Sequence, residues 1–276
     1  MELTPETVEQ FIAETCSGRS SSIDLGECAF AQIAGIVKLV LLVKHLALSG
    51  RDVELKIPRD LSVQRYLERA NAFRELRDIC RMDQSVDHLR AQGRYPTDTL
   101  VELRSIEEEG QIRAVVDGFV AGLTSQRNIR GDVIRAVESI LYETLQNIPQ
   151  HADPEGTIGV HNGLAALLRY SWRLCLSIGD LGVGIRKSLA MNPKFPMDKY
   201  DHGRAIEAAI GHASRHDDVG RGGGLPSVVS AVRKISGSLT VRSGDAMVVV
   251  ERDNLQLKSC TEFPGTQLEI EVRLNR

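Results

Sequence analysis

Three polar side chains follow one another at four-residue intervals: Glu143, Asn147 and His151. The apolar residues around them predict a helix, and residues four apart on a helix share a face, so the three form one polar stripe. An Asn side-chain oxygen suits Mg²⁺, which prefers hard oxygen ligands completed by phosphates and water. Glu143, one turn earlier, is suited to orient or deprotonate an attacking water. The stripe predicts a metal ligand and a general base, and a solvated helical face is the alternative interpretation.

A glycine-rich string precedes another predicted helix. Glycines at this position expose several backbone amides at the positive end of the helix dipole, which is an arrangement that binds phosphate. A dinucleotide-binding fingerprint is not indicated, because its glycines would follow the first strand of the fold. Arg215 and Arg221 provide forked donors for phosphate oxygens. The string consists of Gly220, Arg221, Gly222, Gly223, Gly224 and Leu225.

Between these motifs, an Asp-x-Gly-x-Gly sequence from Asp180 to Gly184 follows an apolar segment that is predicted to be a strand. Together the three motifs resemble the ATP-binding domain of the GHKL superfamily, which includes gyrase, heat-shock chaperones, histidine kinases and MutL. The resemblance implies that ATP and Mg²⁺ bind, with Asn147 on the metal. It also implies that Asp180 accepts from the adenine amino group, while Gly182 and Gly184 let the backbone approach the base. An ordinary Asp-x-Gly turn is the alternative for this motif.

The resemblance also predicts a fold and two further features. The fold is a C-terminal α/β sandwich with a mixed sheet, the Bergerat-type ATP-binding fold, over residues 111–276, with helices on one face. The hydroxyl of Thr266 is expected to reach the nucleotide, and an ordinary turn at the entry of the last strand is the alternative for that residue. Residues 186–219 have the length of a lid over the nucleotide. Pro149 departs from the family pattern and should end or kink its helix. Two terminal strands, 238–242 and 247–252, are predicted to be joined by a turn at residues 243–245.

The first 81 residues predict a small α/β domain with a parallel sheet, because strands and helices alternate. The segments 23–25, 33–39, 50–55 and 66–70 resemble a STAS domain. STAS domains of the anti-sigma-antagonist kind carry a phosphorylatable Ser before the long helix, whereas this chain has Gln32-Ile33-Ala34-Gly35, so no phospho-acceptor is expected there. A plain α/β module that packs on the second domain or a second subunit is the alternative. The polar residues 82–110 predict a connector with one short strand near 100–103.

Composition excludes several classes of partner. The 276 residues include 34 basic and 37 acidic side chains, and the net charge of −3 does not favour nucleic acid or an anionic membrane. The acidic amphipathic start is no signal peptide, and the longest apolar stretch is interrupted by Lys38, Lys44 and His45, so we expect a cytoplasmic protein. Five scattered cysteines without a Cys-x-x-Cys pair predict reduced thiols.

Two classes of function stay open. As an enzyme, the chain would use Glu143 for slow ATP hydrolysis or phosphoryl transfer to a protein. As a binding module, it would only sense ATP, or its site would be degenerate and the N-terminal domain would carry the function. A self-phosphorylating histidine kinase is not expected, since the only His-Asp pair, at His216, lies in the presumed lid. The large domains that follow the ATP site in gyrase or MutL are not expected either. We expect a compact switch that acts on a protein partner or as a homodimer.

Overall fold

The computed structural model describes residues 1–15, 21–90, 100–126, 128–152, 163–211 and 224–274. The N-terminal elements are β1 (Glu2–Leu3), α1 (Pro5–Thr15), β2 (Ser21–Asp24), β3 (Phe30–Ala31), α2 (Ile33–Leu48), β4 (Val53–Lys56), α3 (Leu61–Arg69), α4 (Ala72–Leu76), β5 (Arg81–Met82) and α5 (Asp87–Arg90). The elements that follow are β6 (Leu100–Ile106), α6 (Ile112–Thr124), α7 (Gly131–Ala152), β7 (Gly163–Arg169), β8 (Arg173–Gly179), α8 (Gly184–Leu189), α9 (His202–Ile210), α10 (Gly224–Lys234), β9 (Ser238–Glu251) and β10 (Asn254–Arg273).

The N-terminal strands form two small parallel sheets, one in the order β2-β4-β5 and one of β1 with β3. Parallel neighbours need a crossover, which α2 supplies between β2 and β4, and this agrees with the predicted order of strand, helix and strand. The sequence pattern over residues 60–73 predicts one helix, but the structure has two there, α3 and α4. Asn71 separates them with a left-handed φ of 63°, a conformation that Asn tolerates better than most residues.

Helix α2 is apolar on nearly all sides. Eleven of its sixteen residues are buried, so it needs cover on opposite faces. It packs against β4 on one side and against β7 and β8 on the other. The contact is close at Gly179, where an added Cβ would lie 2.6 Å from Leu41 Cδ1. Helix α2 therefore joins the N-terminal elements to the sheet of the C-terminal half.

The C-terminal half is built on a five-stranded sheet in the order β6-β7-β8-β10-β9. Each neighbouring pair of these strands is antiparallel, so the predicted mixed sheet is wrong for the strands that the structure describes. Short hairpins join β7 to β8 and β9 to β10, and such connections favour antiparallel pairing. Helices separate β6 from β7 and β8 from β9 along the chain. The sequence also predicts a strand at residues 157–161, which lie outside the described residues. The strand predicted near 100–103 extends to Ile106 and forms one edge of this sheet.

Helices cover this sheet on both faces, whereas the sequence predicted helices on one face only. Side chains such as Leu167, Leu176 and Ile270 face α6, α7, α9 and α10. On the opposite face, Leu164 and Ala166 pack in one core with α1 and α2. Strand β7 is buried from Gly163 to Leu168, which is typical of a strand covered on both sides. The five-stranded sheet therefore lies between two helical layers.

The last two strands form one long hairpin. The prediction of a turn at residues 243–245 is wrong, because β9 continues through them to Glu251. The turn lies at Arg252 and Asp253, and Arg252 takes a φ of 54°. The pairing shifts register between Ser259 and Thr266, and Gly244 in this irregular stretch adopts a φ of 64°. The Ser-Gly-Asp sequence is therefore a bulged part of a strand, where glycine is common for the same conformational reason as in a turn.

No helix in the described ranges has the length and apolarity needed to cross a membrane. The four cysteines within those ranges, Cys28, Cys80, Cys175 and Cys260, are free thiols, as predicted.

Candidate functional site

Helix α7 carries the polar stripe. The inner face of α7 is buried and includes Leu141, Leu145 and Ile148. Glu143 and Asn147 are half-buried at the border of that face. The helix continues through Pro149 to Ala152, so of the two predicted effects of Pro149, an end or a kink, the end is wrong. Leu145 and Ile148 of the preceding turn are anchored in the core, and proline removes only one backbone hydrogen bond from the helix. His151 belongs to α7, but its side chain lies outside the described part of the structure.

Asp180 follows the buried strand β8 and is held by its own loop. Its Oδ1 accepts hydrogen bonds from the backbone N–H of Gly182 at 2.7 Å and of Thr266 at 3.3 Å. Its backbone N–H donates to the Thr266 carbonyl at 2.9 Å, so Asp180 and Thr266 are tied in both directions. Among the residues that the structure describes, none donates a hydrogen bond to Oδ2. One carboxylate oxygen is thus fixed and the other is available to a ligand.

The electrostatic setting of Asp180 is unusual for a surface loop. Burial raises the pKa of its carboxyl to about 6, although the amides of Gly182 and Thr266 act to lower that pKa. No cationic side chain in the described ranges contributes to the pKa of Asp180. A desolvated acid without a neutralising partner costs stability, and such groups concentrate at functional sites.

Two glycines with positive φ shape the loop after β8. Gly184 has a φ of 76°, and a Cβ there would lie 2.8 Å from Ser243 Oγ. Gly265 has a φ of 77°, and a Cβ there would lie 1.9 Å from the Asp180 carbonyl oxygen. Gly184 was expected to make room for a base, and the structure places other protein atoms beside it. Gly182 serves the loop through its N–H, which binds Asp180.

Helices α7 and α10 bring two of the predicted motifs together. Helix α10 begins at Gly224, and its residues Val228, Val229 and Val232 bury it against the core. Leu225 packs at the edge of that core. A Cβ on Gly224 would lie 3.7 Å from Asn147 Nδ2, so the first turn of α10 adjoins the stripe. Helix α8, which follows the Asp180 loop along the chain, contacts both α7 and β10.

The predicted phosphate-binding segment is described only in part. Arg215, Gly220, Arg221, Gly222 and Gly223 lie outside the described residues. Within the predicted lid, residues 186–189 lie in α8, residues 202–210 lie in α9, and residues 212–219 lie outside the described residues. Helix α9 is amphipathic and buries Ala205, Ile206 and Ala209 in the main core.

Ser243 and Gly265 are the residues of this region that the sequence-based prediction missed as parts of the site. Ser243 is 1% exposed, and its Oγ accepts from Ile185 N–H and donates to the Gly265 carbonyl, each at 2.9 Å. Both residues lie in short sequences that read as turns. The pairing of β9 with β10, which places them beside the Asp180 loop, is a long-range contact without a local sequence signal.

The described ranges contain no group of three or more His, Cys, Asp or Glu side chains arranged for a metal ion. A magnesium ion held by one Asn and by nucleotide phosphates does not need such a group. No protein-family model matches the chain. No curated protein matches it either.

Proposed function

We propose that this chain binds Mg²⁺-ATP in the region bordered by α7, the Asp180 loop and the first turn of α10. Asp180 carries the proposal. Its Oδ1 is occupied by two backbone amides and its Oδ2 is unoccupied by any described residue, while burial raises its pKa to about 6. An acceptor that is fixed, desolvated and half-satisfied is suited to a neutral donor such as an amine on a flat ring.

Adenine fits this acceptor better than guanine. Adenine presents an exocyclic amino group at the ring position where guanine carries a carbonyl oxygen, and two acceptors facing one another repel. The interaction requires the carboxylate form of Asp180, which predominates above its pKa of about 6. Nucleotide affinity is therefore expected to fall as the pH is lowered through 6.

The phosphate end of the nucleotide is assigned to α7 and α10. The first turn of α10 lies at the positive end of the helix dipole and attracts anions, although its Pro226 has no N–H to donate. That turn adjoins Asn147, with 3.7 Å between Asn147 Nδ2 and a Cβ on Gly224. Rotation of the Asn147 amide would present its oxygen to a cation. Bound magnesium would neutralise phosphate charge at this end. Glu143, one turn away on the same face, is the residue for orienting water or a hydroxyl acceptor.

Nucleotide sensing without turnover is the second candidate. The observation that favours it is the shared core of α1, α2 and the sheet, which connects the N-terminal layer directly to β8, the strand that precedes Asp180. In this version, the nucleotide changes how the N-terminal layer meets a protein partner or a second copy of the chain. Both candidates require the same binding site.

Titration calorimetry with a non-hydrolysable ATP analogue and magnesium tests the binding site. Wild type should bind, and Asp180→Asn and Asn147→Ala should each weaken binding at least tenfold, the effect of about 1.4 kcal/mol. Asp117→Asn, an exposed carboxylate on α6, is the matched control and should bind as wild type does. Ligand at 100 times its Kd should stabilise the fold by about 2.7 kcal/mol. A folded wild type that shows no binding would contradict the proposal.

Phosphate release in the steady state separates the two candidates. Glu143→Ala should abolish turnover and leave the affinity unchanged if the chain is an enzyme. Glu138→Ala is the matched control, because it lies on α7 five residues earlier and therefore on a different face. Turnover that persists in Glu143→Ala, or that is absent from wild type, would contradict the enzyme interpretation.

A further inference from the structure

Ser243 links the two segments that hold Asp180. Its single hydroxyl accepts from Ile185 N–H in the first turn of α8 and donates to the carbonyl of Gly265, which precedes Thr266. Both contacts are 2.9 Å long, and Ser243 is 1% exposed, so water does not compete for them. The hydroxyl thereby keeps the loop after Asp180 in place against β10.

The neighbouring residue, Arg242, connects the same strand to the N-terminal layer. Arg242 is 2% exposed, and its Nε lies 2.6 Å from Oε1 of Glu9 on α1. Its guanidinium also donates to the Thr261 carbonyl at 2.6 Å, which fixes the bulged part of β10. Lys38 of α2, also 2% exposed, lies 2.5 Å from the same Glu9 oxygen. One carboxylate of α1 is thus shared by two buried cations.

Loss of the Glu9 charge would leave the buried Arg242 without its carboxylate partner, while Lys38 would still have Glu269 nearby. Burial tends to raise the pKa of Glu9, but the hydrogen bond from Arg242 and the charges of Lys38 and Arg242 outweigh it and hold that pKa below its usual value. Glu9 is therefore ionised at neutral pH. A buried cation without its counter-ion moves towards water or rearranges its contacts, and Arg242 moves Ser243 with it because the two are adjacent in one strand.

We propose that Ser243 is a positioning residue of the nucleotide site and that the ion pair between Glu9 and Arg242 keeps it in register, so that α1 controls the geometry of the Asp180 loop. This proposal rests on the proposed function for its effect on nucleotide binding. Its structural part, the dependence of the Ile185 contact on Glu9, is independent of any ligand.

Amide hydrogen exchange at Ile185 in the full chain, read by NMR without nucleotide, tests the structural part. Ser243→Ala and Glu9→Gln should each speed exchange at Ile185 about tenfold or more, because the amide loses its acceptor or the acceptor shifts. Exchange at Leu176, in the centre of β8, should stay as in wild type. Glu6→Gln, an exposed residue on the same helix, is the matched control and should leave Ile185 protected.

Affinity for the ATP analogue tests the functional part. Both variants should raise its Kd about tenfold, and Asp180→Asn should add little to Ser243→Ala, since the effects of residues that act as one unit are not additive.

Unchanged exchange at Ile185 in a folded Glu9→Gln variant would overturn the control by α1. Unchanged exchange in Ser243→Ala would overturn the positioning role. If wild type does not bind nucleotide, the proposed function fails, and the exchange data still decide the structural part. Should Ser243→Ala fail to fold, Ser243→Cys takes its place, because it keeps the volume and weakens the hydrogen bonds.

Discussion

Replacement of Asp180 by Asn should stabilise the folded protein at neutral pH while it weakens nucleotide binding. Asn keeps a side-chain oxygen that can accept from Gly182 and Thr266, as Oδ1 of Asp180 does. It removes the negative charge that the buried site does not neutralise. The substitution therefore separates the hydrogen bonds of the loop from the cost of its charge.

The magnitude follows from the pKa of Asp180, which is about 6 in the fold and 3.8 for an unperturbed aspartate. Well above pH 6, this difference corresponds to about 3 kcal/mol that the ionised group takes from the stability of the folded state. The new amide N–H groups in turn cost about 1 kcal/mol if they lack a good acceptor. We expect a net gain of about 1–2 kcal/mol for Asp180→Asn.

Urea unfolding of wild type and Asp180→Asn as a function of pH provides the assay. Since the folded-state pKa is raised, the folded wild type takes up a proton first as the pH falls. Its stability relative to the variant therefore rises as the pH falls through about 6, and the gain is complete below 3.8. The advantage of Asp180→Asn should be largest near pH 8 and should disappear towards pH 4.

Asp180→Ala serves as the control for the hydrogen bonds. It removes the charge and also the acceptor of both amides, so it should be about 1–3 kcal/mol less stable than Asp180→Asn. The reasoning is refuted if Asp180→Asn is less stable than wild type near pH 8, or if the difference between them does not change with pH.

Three further predictions concern the supports of the site. Burial raises the pKa of Glu269 from an ordinary 4.5 to about 7. Glu269→Gln should therefore increase the free energy of urea unfolding by about 1–3 kcal/mol near pH 8, and this increase should vanish as the pH falls towards 4.5. Glu271→Gln, which loses a 2.7 Å ion pair with Arg173, should show no such gain. Gly265→Ala should lower the free energy of unfolding by well over the roughly 1–2 kcal/mol that a left-handed alanine costs, because its Cβ would meet the Asp180 carbonyl at 1.9 Å. Gly50→Ala is the control for thermal unfolding: its φ is 72° and nothing lies within 4 Å of an added Cβ, so it should lose only roughly 1–2 kcal/mol. Leu41→Ala, fully buried on the sheet, should cost about 2–5 kcal/mol in chemical denaturation, whereas Leu48→Ala, 52% exposed on the same helix, should cost less than 1 kcal/mol.

Local sequence patterns predicted much of the secondary structure. The sequence predicts a helix at about residues 30–48, a strand of alternating apolar residues at 53–57 and a long helix at 131–150. The structure confirms these as α2, β4 and α7, because each pattern depends on residues a few positions apart. The errors have local explanations too. Asn71 divides a predicted helix by adopting a left-handed conformation, and packing carries α7 past Pro149. Strand β10 begins at Asn254 with exposed residues, so its first part had no buried alternation to reveal it.

The sequence by itself determined the candidate chemistry: the stripe of Glu143 and Asn147, the acid at Asp180 and the glycines ahead of α10. These depend on residue type and near spacing, which are properties of a local stretch of chain. Tertiary structure alone decided that Thr266 N–H binds Asp180, that Gly224 adjoins Asn147, and that α1 and α2 cover the second face of the sheet. Those contacts join residues tens to hundreds of positions apart, and their energy comes from burial and pairing across the fold, which no short segment can report.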